Sequence, residues 1–251
     1  MKKKIFYIFS HQDDEFGIFP QLKKDSINNE VFIFYFTSGT NKKIKKNRLI
    51  LRDKESIKTL TFLGVKKKNI FFIGRKLEIK TNELHLNVKK ISTYFENYIL
   101  KSVKPDIIYT HSWEGGHEDH DTCNLLVRRF KKKFKIVKCF QYSLYNAYKT
   151  SIIYFRIFNP LKKKKLIKIK KLEKERLNFI KLLFNYRTQL KIWVGLYPFI
   201  IAHYLFKNYL FIEELDINNV IKRPHRGELL YEKRKFCKFS ELKKSTKCLL
   251  S

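Results

Sequence analysis

The sequence predicts an α/β fold built on a mostly parallel sheet, continued by a basic, helical C-terminal extension. Three observations carry that reading. Up to about residue 140, short runs rich in β-branched and aromatic residues alternate with longer helical patterns, the mark of βαβ units. The short runs are apolar throughout rather than at every second position, as strands covered on both faces are. The 251 residues, 44% hydrophobic and 16% aromatic, furnish a substantial core and exclude disorder as the state of the whole chain.

The first strand is Lys4–Phe9. With Lys2 and Lys3 before it, it imitates a secretory leader, but its apolar stretch is too short for the roughly 7–15 residues such a leader needs, and His11-Gln12-Asp13-Asp14-Glu15 follows at once. The remaining strands are Val31–Thr37, Asn69–Ile73, Asp106–Thr110 and Phe134–Phe140. Between them lie helices at Asn47–Leu63, closed by Gly64, at Asn87–Val103, stopped before Pro105, and at Asp121–Lys132. Past residue 150 the alternation fades. Leu161–Tyr186 reads as one long basic helix with Ile169, Leu172, Phe179, Leu183 and Tyr186 near one face. Ile192–Phe206, a short Phe211–Asp216 stretch and a turn-rich tail follow. Ile192–Phe206 is interrupted by Gly195, Pro198 and His203 and is shorter than the roughly 20 residues of a spanning helix, so no transmembrane segment is expected. The chain reads as one domain, 1–251, with a catalytic core at about 1–145 and a basic part at about 150–251.

Lys+Arg 55 against Asp+Glu 23 gives a net charge of +32. Residues 1–125 carry 23 basic and 15 acidic side chains, residues 126–251 carry 32 and 8, so three quarters of the charge lies in the second half. Lysines number 44 and arginines 11. Compositional drift accounts for lysine replacing arginine, but not for bases outnumbering acids; the functional reading of the excess is an anionic partner. Nucleic acid is not expected, because arginine is the residue favoured for base and phosphate forks and no recognised nucleic-acid motif is present. The stretch 192–206, with Trp193, Tyr197 and Tyr204 between Lys191 and Lys207, has the composition of an interfacial patch. The expected setting is therefore cytoplasmic, with peripheral contact to an anionic membrane face or a phosphorylated lipid carrier. Cys123, Cys139, Cys237 and Cys248 form no C-x-x-C pair, which fits a reducing compartment.

Two segments hold most of the reactive polar residues, each directly after a predicted strand: Ser10-His11-Gln12-Asp13-Asp14-Glu15, and His111-Ser112-Trp113-Glu114-Gly115-Gly116-His117-Glu118-Asp119-His120-Asp121. In an open α/β sheet, ligands bind beyond the carboxyl ends of strands where the strand order reverses. If the first and fourth strands are neighbours there, the two segments face each other. Two histidines and one aspartate leave a position open on a divalent metal, as catalytic zinc sites do. Beside such a centre Asp13 is placed to take a proton from water, His117 to stabilise an oxyanion and protonate a leaving group, and Asp119 to orient a histidine. Gly115-Gly116 permits close backbone approach. Alone, an acidic triplet after a strand is an ordinary helix-start turn; the coincidence of both segments at strand ends is what points to chemistry.

Ser10–Glu15 resembles the Ala-His-Pro-Asp-Asp-Glu motif of the PIG-L/LmbE-like zinc-dependent de-N-acetylases, and Gly116-His117-Glu118-Asp119-His120 resembles their Gly-His-Pro-Asp-His motif. Thr37-Ser38-Gly39, Arg52-Asp53-Lys54-Glu55, Leu63-Gly64-Val65 and Tyr186-Arg187-Thr188-Gln189 are weaker echoes, and the likeness spans about residues 4–190. It implies a Rossmann-like three-layer sandwich, Zn²⁺ held by His11, Asp14 and His120, Asp13 as general base, His117 as the electrophilic or acidic partner assisted by Asp119, and Arg52 holding substrate. Gln12 stands where the family usually has Pro, Arg75-Lys76 replace an acidic residue, and Gly115 stands where some members have Tyr, a loss for which Trp113 or His111 could compensate. The implied reaction is removal of an N-acetyl group from an amino-sugar substrate. The alternatives are a basic binding protein for anionic glycolipid or nucleic acid on a degenerate hydrolase fold, and a non-haem iron oxygenase, which the βαβ alternation disfavours. No G-x-G-x-x-G or P-loop pattern supports nucleotide chemistry.

Overall fold

The computed structural model describes residues 2–40, 46–136, 138–150, 156–161, 165–170, 173–207, 209–217 and 222–249. Through the first half its elements alternate: β1 (Lys4–Phe9), α1 (Phe19–Asn28), β2 (Glu30–Tyr35), α2 (Lys46–Phe62), β3 (Ile70–Phe72), α3 (Ile73–Lys76), α4 (Val88–Lys101), β4 (Ile107–His111), α5 (Glu118–Phe134) and β5 (Lys138–Tyr142). The second half adds β6 (Tyr145–Asn146), β7 (Arg156–Ile157), β8 (Leu166–Lys170), α6 (Arg176–Leu183), α7 (Leu190–Trp193), α8 (Tyr197–Phe206), β9 (Tyr209–Glu214), α9 (Leu230–Lys233) and α10 (Phe239–Thr246).

The central sheet runs β3-β2-β1-β4-β5-β9-β8. Its first five strands are parallel, and β9 and β8 join antiparallel at one edge. Alternate side chains of β1 enter opposite cores: Ile5, Tyr7 and Phe9 face one, Phe6 and Ile8 the other. That is why the strand is apolar throughout. The first core is closed by Phe19 and Leu22 of α1, Phe179 and Leu183 of α6, and Ile200 and Tyr204 of α8. The second is closed by Ile91, Phe95 and Ile99 of α4, Leu126 and Phe130 of α5, and Leu242 of α10. Helix, sheet and helix thus form three layers. Phe95, fully buried, meets the rings of Phe34 and Phe130 at 4.9 Å; a core ring of this kind contributes about 3–5 kcal/mol relative to alanine.

Four expectations need correction. The stretch 161–186 is not one helix: it holds edge strand β8 and then α6, with 162–164 and 171–172 outside the described residues. Its Leu-Ile-Lys-Ile-Lys segment alternates with period two, a strand signal that the wider 3.6-residue spacing masked, and lysines on an edge strand discourage pairing with other chains. The fifth strand starts later than predicted, because α5 runs on to Phe134 and ends at Lys135 in the left-handed region (φ 50°); Val137 lies outside the described residues. The tail is not turn-rich throughout, since α10 packs on α5. Finally, the rings an interfacial patch would place at headgroup depth are engaged inside: Trp193 and Tyr204 are buried, and Tyr197 donates from its hydroxyl to Leu183 O. Among the described residues no helix is long and apolar enough to cross a membrane, and the four cysteines are free.

Candidate metal centre

β1 lies between β2 and β4, so the strand order reverses there and the two histidine segments leave the sheet side by side. After β1 the chain turns sharply. His11 N–H donates to Asp14 Oδ2 at 2.7 Å, and Asp13 adopts φ 120°, ψ −22°, a conformation costly for a residue with a side chain and typical of functional sites. Three contacts, from Glu15 and Arg52, hold it. Asp13 N–H donates to Glu15 Oε2 at 3.0 Å, Arg52 of α2 donates to Gln12 O at 2.8 Å, and its guanidinium lies 3.5 Å from the Asp13 carboxylate. Glu15 in turn accepts from the hydroxyls of Tyr35 (2.9 Å) and Tyr186 (2.6 Å).

The second segment is shaped by Asp121, which accepts from Glu114 and Gly115 N–H groups, and by Glu114, which accepts from Leu144 and Tyr145 N–H groups at 2.8 and 3.1 Å. A side chain at Gly116 would collide with the Tyr145 carbonyl. His117 caps α5, its Nδ1 accepting from Asp119 N–H at 3.1 Å; a neutral ring held that way keeps its proton on Nε2. Asp119 accepts from the Asn82 and Leu84 N–H groups and lies 3.0 Å from His11 Nε2.

His11, Asp14 and His120 come together as expected, with ligand atoms all within 4.8 Å of one another; His11, His117 and Asp119 form a second, overlapping group. His120 Nε2 is 3.2 Å from Asp14 Oδ1, and the His120 ring stacks on His111 at 4.1 Å. The donor set fits a divalent cation. His120 Nδ1 is buried without a partner, and four carboxyl groups, Asp13, Asp14, Glu118 and Asp119, are buried together here, where a divalent cation would offset the cost of burying their charge. Titration behaviour divides the acids. Burial pushes Asp13 up to about 8 against the pull of Arg52, whereas burial of Asp14 is outweighed by His120, His111 and His11, which hold it well below the usual carboxylate range. Burial is likewise overcome at Asp119, which the hydrogen bond to His11 brings to about 2. Burial brings His117 and His120 down to about 4 against the pull of their acidic neighbours, while at His11 the Asp14 charge overcomes burial and raises it to about 10.

The three residues expected to hold substrate are engaged by protein groups. Arg52 is buried and braces the Asp13 turn, also donating to Gly39 O. His111 is buried, its Nε2 accepting from Ser10 N–H at 3.1 Å. Trp113 donates from Nε1 to Lys222 O and stacks near Arg128 and Phe239. Sequence reasoning missed the braces Glu15, Asn82, Glu114 and Asp121. It also set the basic half apart from the metal chemistry, whereas residues 222–249 fold back over the second segment: Leu230 N–H donates to Gly115 O at 2.9 Å, and the Phe236 ring lies 6.1 Å from His117. The weaker echoes close on one another. Glu55 accepts from Thr188 N–H and hydroxyl, and Asp53 from Gln12 and Arg75.

Comparison with known proteins places this geometry. No curated protein matches the sequence. Among solved structures, a triple mutant of a deacetylase of the teicoplanin biosynthetic pathway superposes with TM-score 0.63 at 14% identity, covering 84% of this chain and 97% of its own. N,N'-diacetylchitobiose deacetylase from Pyrococcus horikoshii does so with TM-score 0.58 at 20% identity, covering 83% and 82%. GalB, the 4-carboxy-2-hydroxymuconate hydratase of Pseudomonas putida, is similar with TM-score 0.50 at 10% identity over 88% and 98%. At these identities the likeness is one of fold. A family model described as PIG-L, GlcNAc-PI de-N-acetylase, matches residues 6–131, both histidine segments included. With half of its length matched, the chain belongs to the PIG-L family.

Proposed function

We propose that the chain is a zinc-dependent deacetylase that hydrolyses the N-acetyl group of an amino-sugar substrate. The observation that carries the proposal is the buried His11–Asp14–His120 cluster at the strand-order reversal, with Asp13 beside it in a strained turn. Zn²⁺ held by this trio would polarise the acetamide carbonyl and acidify water. Asp13 is the base: burial raises its proton affinity toward neutrality, which suits a group that must take a proton from water and pass it on. Arg52 keeps that carboxylate aimed, and the strained turn fixes its backbone next to Asp14. His117, with its proton on Nε2, is a hydrogen-bond donor for the oxyanion that develops as the amide carbon becomes tetrahedral. Asp119 orients His11. The complete donor set and base distinguish this reading from a degenerate binding protein. Teicoplanin-pathway and diacetylchitobiose deacetylases share the fold, which supports an N-acetylated sugar as the substrate class.

The test is acetate release from a panel of GlcNAc-bearing nucleotide sugars, lipid-linked sugars and free glycans. D13N is expected to bind about one equivalent of zinc and to lose turnover by about 10³-fold or more, within the range for a lost general base and its charge. Turnover within a few-fold of the parent would remove Asp13 from the base role.

A further inference from the structure

A second cavity, of about 700 Å³, lies on the β8–β9 edge, a volume in the range of small-molecule sites. Successive residues of a strand face opposite ways. Ile169, Leu210 and Ile212 point into the first core, while Leu166, Lys168, Tyr209 and Phe211 point to the other face and line the cavity. His203 and Lys207, from the end of α8, and Phe158, after β7, form its walls. Phe158 sits in the left-handed region (φ 52°), unusual for a bulky residue, and this sets its buried ring against His203 at 4.7 Å and Phe16 at 5.7 Å. One wall is therefore fixed.

The charge is one-sided. Among the described residues no Asp or Glu lines the cavity and neither Lys168 nor Lys207 makes an ion pair; Lys168 Nζ lies 5.1 Å over the Tyr209 ring. Lys165 also borders a neighbouring cavity lined by Glu213, Glu214 and Asp216 together with Arg128, Lys222 and Arg223. Ammonium groups are compact point charges suited to tetrahedral oxyanions, whereas planar carboxylates are better gripped by an arginine fork. The aromatic floor suits an apolar body attached to that anion. We infer that this cavity binds a phosphate ester carrying an apolar group, the phosphate at Lys168 and Lys207 and the apolar part on Tyr209 and Phe211. No residue of the metal centre lines it, so the inference is independent of the deacetylase reading. The competing role for these lysines is protection of an edge strand, which requires no ligand.

Calorimetric titration of the metal-loaded full chain with monomeric octyl phosphate separates the two. The site predicts saturable binding that weakens by about tenfold or more, 1.4 kcal/mol or more, in the K168E/K207E double variant. It predicts less than about twofold change in K67E/K68E, which alters two exposed lysines elsewhere. Inorganic phosphate and the neutral octyl glucoside should each bind at least about tenfold more weakly than octyl phosphate. Displacement of octyl phosphate by phosphatidic-acid vesicles would assign the ester to a bilayer, and its persistence would assign a soluble ester; both support the site. Equal weakening in the two double variants, no weakening in K168E/K207E, or inorganic phosphate binding as tightly as the ester would overturn it. The milder K168Q/K207Q variant, with its melting curve, guards against misfolding as the cause of a loss.

Discussion

In the parallel half of the sheet, Arg52, Arg75 and Arg129 each lie against a buried carboxylate, Asp13, Asp53 and Glu96 respectively, whereas beside the antiparallel strands Lys168 and Lys207 meet none among the described residues. The net charge of +32 is therefore two different properties. Beside the parallel strands Arg52, Arg75 and Arg129 are counter-ions, bracing the Asp13 turn and tying helix to helix. On the β8–β9 edge the two lysines stand free, available to an anion or simply solvated. The regions also differ in how they are held: the parallel strands are covered on both faces, while β8 has Ile167, Lys168 and Lys170 exposed.

The sharpest way to break the comparison is to disable one region and read the other. H120A removes an imidazole that is 1% exposed and one of three ligand groups. It is expected to retain less than about a tenth of an equivalent of zinc by elemental analysis and to lose acetate release, since catalytic zinc needs three protein ligands. Octyl phosphate binding should be unchanged within about twofold. Stoichiometric zinc in H120A would remove His120 from the ligand set; a parallel loss of octyl phosphate binding would show that the two regions do not act separately.

The next largest effect is expected where the halves interlock. Tyr186, from beyond α6, donates to Glu15 across 171 residues of sequence, and Glu15 holds the strained Asp13 N–H. Y186F removes one charge-assisted bond from a buried carboxylate, a loss of about 1.5–3 kcal/mol. That corresponds to a fall in Tm of roughly 3–12 °C for a domain of this size. Turnover should fall as well, with zinc content maintained, because the turn that aims Asp13 loosens while the ligands stay. An unchanged Tm would mean that the second half merely rests on the site.

This interlock also shows what was legible in the sequence and what was not. Strand β1 matched its predicted bounds, because a run of buried residues on a doubly covered strand is local information. The clustering of His11, Asp14, His117 and His120 was legible for a similar reason, since each pair lies three apart and follows a strand end, while the choice of His11, Asp14 and His120 as proposed ligands came from the family resemblance. What stayed hidden depends on distant pairing. Nothing near Glu15 in sequence announces Tyr186. Asn82 supports Asp119 through its backbone N–H and Glu118 through its side chain from the left-handed region (φ 71°), and which acids it meets depends on the fold. The substrate role expected of Arg52 came from the family resemblance, and neither its burial nor its hold on the Asp13 turn was legible in the sequence. Strand β8 was missed because five residues of alternation competed with a longer stretch whose apolar spacing mimics a helix.

The smallest expected effect tests the contrast between paired and free cations. Burial alone would raise Glu96, but hydrogen bonds from Lys133 and Arg129 outweigh it and hold its carboxyl below the ordinary value. A carboxyl whose folded pKa lies below its unfolded one stabilises the fold above the unfolded value, and the contribution drains away as pH falls through the folded value. E96Q should therefore lower stability at pH 7 by about 0.5–1 kcal/mol, a modest figure because Lys133 is nearly half exposed. The gap to the parent should close as the carboxyl is protonated below about pH 4. K168Q has no carboxylate to leave behind and removes one positive charge from a chain with a large excess. Its urea midpoint should match that of the parent within about 0.5 kcal/mol at both pH values. If K168Q instead showed the pH-dependent loss expected of E96Q, Lys168 would be a structural counter-ion like Arg129, and the division between shaping and free charge would not hold.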